Sequence, residues 1–270
     1  MDSAVVSLLR CPSCKSDTLS SENHVLACHR CDHRYPRSDA GYWDLLQAGA
    51  AGEPAASMPA QRLMESELVA RIYERFWRPS MVRLLAGRGA AGAAGGFAGE
   101  FFIHKNSLGM DDRRGPWLDL SCGPGLFTRA MAAASPGQWV IGLDISKAML
   151  EEAAKRTRAY DNVALIRADA HDLPFADRQL AGINNAGALH VYDDPEAAFT
   201  EVLRVLQPNG VYVGSTFAPA TRAIGRFASR ITGIRRFDPP ELRAWLSSVG
   251  FRDYEEIRLG DGFIFKARKP

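Results

Sequence analysis

The sequence predicts an α/β fold, with a parallel sheet flanked by helices, preceded by a small cysteine-rich module. From Trp117 onward, short apolar segments alternate with helical ones, which is the pattern of successive βα units. The first apolar segment leads into a glycine-rich turn, and the first three segments each run up to an aspartate. Near the N-terminus, four cysteines form two Cys-x-x-Cys pairs. These three observations carry the prediction.

The turn after the first predicted strand, residues 121–125, reads Ser-Cys-Gly-Pro-Gly and opens an alanine-rich helix. Gly123 and Gly125 let the backbone turn sharply and approach a ligand closely. The free amides of the new helix would point at that ligand. Such a turn could hold several kinds of nucleotide, but the carboxylate of Asp119 would repel a pyrophosphate and suits an amino-acid ammonium. The combination favours S-adenosylmethionine (SAM).

The next two predicted strands also end in aspartates. Asp144 closes the segment 139–144, at the place where an acid usually holds ribose hydroxyls. Asp169 follows the next segment and could accept a hydrogen bond from the adenine amino group. Each of the three aspartates could instead be a helix N-cap. As a set at βα spacing, they fit an adenosine with an amino-acid tail.

These motifs, in residues 119–125, 142–144, 167–169 and 203–210, resemble those of class I SAM-dependent methyltransferases. The resemblance spans roughly residues 112–270 and implies a Rossmann-like sheet that binds SAM. Ser121 departs from the family pattern because it replaces the first glycine of Gly-x-Gly-x-Gly. Ala181 also departs, since many members have an aspartate there.

Composition sets broad limits. The 270 residues carry a net charge of +2, and their hydrophobic and charged fractions, 46% and 24%, are ordinary for a globular protein. No apolar run approaches the roughly 20 residues needed to span a bilayer, and no signal segment is recognisable at the N-terminus. We therefore expect a cytoplasmic protein with no membrane partner. The small net charge gives no general sign of nucleic-acid binding, and the sequence leaves the oligomeric state open.

The early cysteines have the spacing of a tetrahedral metal site. Two Cys-x-x-Cys turns separated by a hairpin-length segment predict structural Zn²⁺, and a disulfide pair is the alternative. A cytosolic location disfavours the disulfides. The predicted ligands are Cys11, Cys14, Cys28 and Cys31. Three histidines (His24, His29 and His33) lie nearby but are not needed as ligands. Cations around this module (Arg10, Lys15, Arg30, Arg34 and Arg37) leave an RNA-binding surface as an alternative to a purely structural role.

We expect four parts: a zinc ribbon (1–46), a linker (47–60), a helical cover (61–110) and a SAM-binding core (111–270). The cover should contain a helix over about 60–85 with a break near Pro79, a loop over 86–99 and a helix over 101–108. Together with the ribbon, residues 71–79 and 95–99 resemble a group of zinc-ribbon methyltransferases of plants and bacteria. The ribbon-plus-core plan more loosely resembles the bacterial rRNA guanine-N1 methyltransferases.

The motifs and the resemblance together assign the SAM contacts. In the resembling group Tyr73 would lie near the cofactor, although packing on the core is an equal alternative for this side chain. The assigned residues are Tyr73, Asp119, Ser121, Cys122, Gly123, Gly125, Asp144, Ile145, Asp169, Ala170 and Asn185.

The acceptor side is predicted from two segments. His190, in the loop after the fourth strand, is the candidate base, with Tyr192 or Asp193 to orient it; the alternative is that His190 only packs over the cofactor. Residues 217–240 should form an amphipathic helix. Its arginines are Arg222, Arg226 and Arg230, and its apolar residues are Ile224, Phe227, Ile231 and Ile234. It could close over a small substrate, meet RNA phosphates, or simply be solvated.

Three functions are compatible with these features. The first is methylation of a small, fairly apolar molecule, such as a secondary metabolite, at oxygen or carbon. The second is methylation of an rRNA or tRNA base, with the ribbon binding RNA. The third is a non-catalytic SAM-binding adaptor, which the intact cofactor motifs disfavour.

Overall fold

Two β-sheets organise the described residues, which are 3–22, 25–46, 65–87 and 95–270 of a computed structural model. The smaller sheet is antiparallel and follows a short helix, α1 (Ser3–Val6). Its strands are β1 (Leu19–Glu22), β2 (Val25–Cys28) and β3 (Arg34–Pro36). The predicted linker, residues 47–60, and parts of the predicted cover lie outside the described residues.

The larger sheet has eight strands in the order β10-β11-β9-β8-β5-β6-β7-β4. From β9 to β4 the neighbours are parallel, and β10 and β11 add an antiparallel pair beside β9. The strands are β4 (Trp43–Asp44), β5 (Trp117–Leu120), β6 (Val140–Asp144), β7 (Val163–Arg167), β8 (Leu180–Ala186), β9 (Leu206–Phe217), β10 (Arg252–Leu259) and β11 (Gly262–Arg268). The predicted α/β class with a parallel sheet is confirmed.

Helices connect the strands, and local capping explains several of their starts. The Ser146 hydroxyl accepts a hydrogen bond from the Met149 amide, and Asp194 accepts two amides with Pro195 following it. The helices are α2 (Glu67–Ile72), a π-helix (Tyr73–Trp77), α3 (Arg78–Leu85), α4 (Gly96–Leu108), α5 (Leu126–Ala134), α6 (Lys147–Thr157), a 3₁₀ turn (Leu189–Val191), α7 (Pro195–Val205), α8 (Ala223–Thr232) and α9 (Pro239–Val249).

Three element boundaries differ from the sequence prediction. The chain does not break at Pro79, because that residue occupies the first turn of α3, where no amide donor is needed. A π-helix precedes it instead. Helix α4 begins at Gly96, five residues before the predicted start, within the stretch predicted to be a loop. The fifth parallel strand, β9, begins at Leu206 rather than Gly210, so the Pro-Asn-Gly sequence lies inside the strand.

The N-terminal module packs directly on the larger sheet. Its last strand, β4, pairs in parallel with β7, and Leu9 forms a bridge with Phe175. The buried side chains of the module belong to the same apolar cluster as those of β5, β6 and β7. Trp43, at the edge of the sheet, is almost fully buried. The core of the N-terminal module is therefore shared with the larger sheet.

The shared core predicts a large effect of truncating Phe175. Its side chain is 0% exposed, whereas that of Phe102 on α4 is 62% exposed. Phe175→Ala should lower the free energy of unfolding by about 3–5 kcal/mol because it leaves a cavity. Phe102→Ala, the same chemical change at the surface, should cost less than about 1 kcal/mol. Urea unfolding of both variants measures the difference, and equal losses would contradict the shared core.

Candidate active site

A cavity of about 750 Å³ opens at the carboxyl ends of the parallel strands. Its floor comes from the residues that follow β5, β6, β7, β8 and β9, and its roof from the π-helix, α3 and α4. Ligands of open α/β sheets bind at this edge, and small-molecule sites occupy about 300–1,000 Å³. The cavity is therefore placed and sized for a nucleotide-like ligand together with a second small molecule.

Ion pairs join the helices of the roof to one another and to α5 and α6. Glu74 of the π-helix accepts from Arg129 on α5 (2.9 Å) and from Arg156 on α6 (2.8 Å). Arg78 of α3 pairs with Glu100 of α4 at 2.6 Å. Each of these side chains is at most 20% exposed, except that of Arg156, which is 22% exposed. Sequence reasoning missed this network, since nothing in the spacing pairs residues from five helices.

Two residues of the glycine-rich turn, Ser121 and Gly123, line the cavity. Gly123 has a left-handed φ of +54°, and a Cβ built on it would point to open space, with Tyr73 as its nearest neighbour at 4.0 Å. Ser121 also adopts a left-handed φ, +56°, which costs a non-glycine residue about 1–2 kcal/mol. Its hydroxyl is 2.7 Å from the Tyr192 hydroxyl, so a side-chain contact accompanies the strained backbone.

Asp144 joins the second strand to this turn. One carboxylate oxygen accepts the Gly123 amide (2.8 Å), and the other accepts the Ser146 amide (2.9 Å). Burial raises the pKa of the Asp144 carboxyl. Asp144 and Ile145 both line the cavity. Asp144 thus fixes the backbone of the turn and remains at the ligand surface.

Asp169 and Ala170 also line the cavity, one strand further along. The Oδ1 atom of Asp169 lies 2.6 Å from Nδ1 of His171 and accepts the His171 amide at 2.9 Å. Burial alone would raise the pKa of the Asp169 carboxyl, but these hydrogen bonds outweigh it and lower the pKa. The same pairing raises the pKa of the His171 imidazole. The sequence reading missed His171.

Asp119 does not line the cavity. It is 2% exposed and accepts hydrogen bonds from Thr128 (2.6 Å) and Asn184 (2.8 Å). The Asn184 carbonyl oxygen lies 2.6 Å from Nδ1 of His104, which must be the donor because the Asn184 amide already donates to Asp119. Burial raises the pKa of Asp119 to about 6. The predicted direct contact with the SAM ammonium does not match this position behind the cavity wall.

Three further predicted contacts also lie behind the wall. Cys122 is buried among apolar side chains, and burial raises the pKa of its thiol, so it is a packing residue. A Cβ on Gly125 would lie 3.3 Å from Thr157 of α6, so this glycine allows close helix packing rather than ligand contact. Asn185 donates to the Tyr192 hydroxyl at 2.6 Å and supports it from below.

His190 lines the cavity and packs against Phe217, with ring centroids 4.9 Å apart and the rings tilted by 58°. Burial and the nearby Arg236 lower the pKa of its imidazole to about 4, so the ring is neutral at physiological pH. Its Nδ1 atom is buried without a hydrogen-bond partner among the described residues. The Tyr192 hydroxyl is directed to Ser121 and Asn185, so it is not placed to orient this ring. An orienting role for Asp193 stays a prediction.

The part of the cavity beyond His190 is apolar. Leu85 of α3, Phe217 at the end of β9 and Ile234 after α8 lie on this side. Ile231 also lines it. The predicted apolar face of α8 is oriented differently from expectation, because the small residues Gly225 and Ala228 face inward. Ile224 and Phe227 remain 56% and 65% exposed.

The arginines of α8 do not form a free row. Arg222 donates to the Leu84 carbonyl (3.0 Å) and lies 3.5 Å from Asp261. Arg226 donates to the Thr221 carbonyl oxygen at 3.0 Å. Two of the three predicted phosphate contacts are therefore already engaged within the protein.

The four early cysteines converge as the spacing predicts. Their sulfur atoms all lie within 4.8 Å of one another, with Cys11–Cys31 and Cys14–Cys28 at 3.7 and 3.6 Å. A tetrahedral zinc–thiolate site with bonds of about 2.3 Å requires sulfur separations of about 3.8 Å. Burial would raise the pKa of the Cys28 thiol, but backbone amides of the second turn lower it to about 6. The donor set fits a metal ion.

Comparison with known proteins identifies the family. Residues 118–214 match a family model described as "Methyltransferase domain". An Arabidopsis thaliana protein described as an uncharacterized chloroplastic methyltransferase is 34% identical, over 90% of this chain and 70% of its own length. This chain is a class I SAM-dependent methyltransferase. The methyltransferase is also 37% identical to a Clavibacter sepedonicus demethylmenaquinone methyltransferase, over 54% of this chain and 69% of that one.

A solved structure supports the fold of this methyltransferase. Haemonchus contortus phosphoethanolamine N-methyltransferase 2, with S-adenosylhomocysteine and phosphomonomethylethanolamine bound, superposes with a TM-score of 0.60 and 16% identity. The match covers 77% of this chain and 60% of that one. None of the helices in the described part of the methyltransferase has the length and apolar character that crossing a bilayer demands.

The buried carboxyl of Asp119 predicts a pH dependence of stability. Because folding raises its pKa from 3.8 to about 6, its contribution to stability is complete below pH 4 and is lost as pH rises through 6. Between pH 4 and 7 this group should remove about 1–3 kcal/mol from the free energy of unfolding.

The check is urea unfolding of the wild type and of Asp119→Asn at several pH values. The advantage of the wild type should shrink as pH rises, since only the aspartate ionises. A difference that stays constant from pH 4 to 7 would contradict the raised pKa.

Proposed function

We propose that this methyltransferase methylates a small, largely apolar acceptor that carries at least one polar group. The observation that carries the proposal is the apolar compartment next to the cofactor edge. Aliphatic and aromatic side chains of α3, β9 and the segment after α8 form its walls. A compartment of this kind favours apolar ligands, which gain free energy as their surface leaves water.

Two polar atoms interrupt this apolar wall. The Nδ1 atom of His190 and the hydroxyl of Thr216 are both buried, and neither has a hydrogen-bond partner among the described residues. Both residues line the cavity. A buried polar atom without a partner costs about 1–3 kcal/mol, so an acceptor hydroxyl or carbonyl that bonds to either atom would be favoured. We assign the polar group of the acceptor to this pair.

The chemistry asks little of the protein. SAM supplies an activated methyl group, so the methyltransferase mainly aligns the acceptor with it. His190 is neutral and could accept a proton from an acceptor hydroxyl, but a pKa of about 4 makes it a weak base. Its contribution should be about tenfold, below the usual range for a well-matched base of about 100-fold to 10,000-fold.

We infer that SAM lies along the floor of the cavity, with its ribose at Asp144 and its adenine at Asp169 and Ala170. Ser121, Gly123 and Tyr73 would surround the amino-acid end, because they face one another across the turn. Asp119 would act through the groups it holds and not by direct contact. The cytoplasmic location remains a prediction.

Two observations favour a small molecule over RNA. The cations of the N-terminal module and of α8 that RNA would require are partly engaged: Arg10 and Lys15 pair with Asp172, and Arg222 with Asp261. Relatives are named for demethylmenaquinone, which supports a small acceptor of apolar character.

Methyl transfer from radiolabelled SAM tests the acceptor class. Cellular RNA and an organic-solvent extract of the producing cells are offered in parallel. We expect label in an organic-soluble product, because the compartment beside the cofactor is apolar. Label in digested RNA nucleosides would overturn the proposal.

The same assay tests His190. His190→Ala should lower the rate of transfer about tenfold and leave SAM affinity, measured by calorimetry, unchanged. An unchanged rate at saturating extract would remove the proposed base.

We also propose that Cys11, Cys14, Cys28 and Cys31 bind structural Zn²⁺ within a ribbon of residues 1–46. The sulfur geometry supports it, and so does the hydrogen bond between the Tyr35 hydroxyl and the Cys11 sulfur at 3.2 Å. A bound ion would stabilise a module whose strands are only two to four residues long.

Metal analysis tests the zinc site. Cys11→Ser should lose most of the bound zinc, because three thiolates hold the ion far less tightly than four. Cys122→Ser is the matched control and should retain the metal, since this thiol is remote from the cluster. Full zinc occupancy in Cys11→Ser would reject the assignment.

A further inference from the structure

Strand β4 connects the N-terminal module to the cofactor site. The Leu45 amide donates to the Arg167 carbonyl oxygen at 2.9 Å and continues the pairing of β4 with β7. The Arg167 guanidinium donates to the Asp44 carboxylate (3.0 Å) and to the Ile145 carbonyl oxygen (3.0 Å). Because Ile145 lines the cavity, Arg167 links a carboxylate of the module to the cavity wall.

A second set of contacts holds the segment that follows β7. Residues 168–171 line the cavity, and the chain continues through 172–176 along the module. Residues 8–10 and 174–176 are joined by two main-chain hydrogen bonds of 3.1 and 2.9 Å. Lys15 adds a hydrogen bond of 2.7 Å to Asp172. The segment is therefore fixed at both ends, by Arg167 before it and by this bridge after it.

The position of this segment depends on partners outside the catalytic part of the chain. β7 would be an edge strand without β4, and its neighbouring loop would have main-chain groups open to water. Loops with few buried contacts open locally at low free-energy cost. Leu9 and Phe175, which form the bridge, are both almost fully buried. The contacts with the module thus hold this loop in place at the edge of the sheet.

We propose that the N-terminal module is a working part of the SAM site, with Asp44 and Arg167 as positioning residues. Neither side chain needs to touch SAM: Arg167 acts through the Ile145 carbonyl, and the module acts through residues 168–171. The inference rests on the proposed assignment of Asp169 and Ala170 to the adenine. It gives the cysteine-rich module a role in cofactor binding that is independent of the acceptor.

The test is the dissociation constant of SAM, measured by calorimetry on the full chain. Asp44→Ala should raise it about tenfold, because Arg167 loses a carboxylate that helps to hold it against Ile145. Asp44→Asn should recover most of the affinity, since its amide oxygen can still accept from Arg167. Asp253→Ala is the matched control: it removes a comparable pair with Arg268 (3.3 Å) at the opposite edge of the sheet. It should leave SAM affinity within twofold of the wild type.

Asp169→Ala separates the positioning role of Asp44 from the adenine assignment on which it rests. If Asp169→Ala weakens SAM binding and Asp44→Ala does not, the positioning role is overturned while the adenine assignment stands. If neither variant changes the affinity, the adenine assignment fails and the inference with it. Metal content and thermal unfolding of each variant show whether the fold as a whole is lost. If Asp44→Ala does not fold, the SAM affinity of Asp44→Asn decides, because this variant keeps the hydrogen bond to Arg167.

Discussion

The carboxylate of Asp119 holds together elements that surround the cavity. It lies on β5 and accepts hydrogen bonds from Thr128 of helix α5 and from Asn184 of β8. Asn184 in turn binds His104 of α4, so the hydrogen bonds reach the roof of the cavity. A buried carboxyl is costly unless its oxygens are satisfied, and here both are. The same hydrogen bonds join β5 and β8 to helices α4 and α5.

A comparable arrangement exists at the edge of the sheet, where an ion pair rather than a buried carboxyl holds the neighbouring elements. Arg167 lies between the Asp44 carboxylate and the Ile145 carbonyl, and can serve both because its guanidinium presents several donors in one plane. Helix α5 and strand β8 are thus joined through Asp119, and the wall segment at Ile145 is held from the sheet edge by Arg167. The cavity keeps its shape through groups that mostly lie outside it.

The sequence predicted the elements whose signals are local. Apolar strands ending in acids, the glycine turn and the Cys-x-x-Cys spacing all depend on neighbouring residues, and the structure has the expected sheet and cysteine cluster. The contacts that the sequence did not predict are made with partners that are distant in the sequence. Nothing near Asp119 indicates that Thr128 and Asn184 occupy it, and nothing near His190 shows that Tyr192 is directed to Ser121. The face of α8 that packs inward was misjudged because Gly225 and Ala228 fit closely where larger residues would not.

The two ends of the cavity come from different parts of the chain. The proposed cofactor end is built from residues that follow β5, β6 and β7, whereas the proposed acceptor end comes from α3, β9 and the segment around α8. Substitutions confined to the second set leave the strand ends of the first set in place. A chain built in this way can change the molecule that it accepts without rebuilding the part proposed to hold SAM.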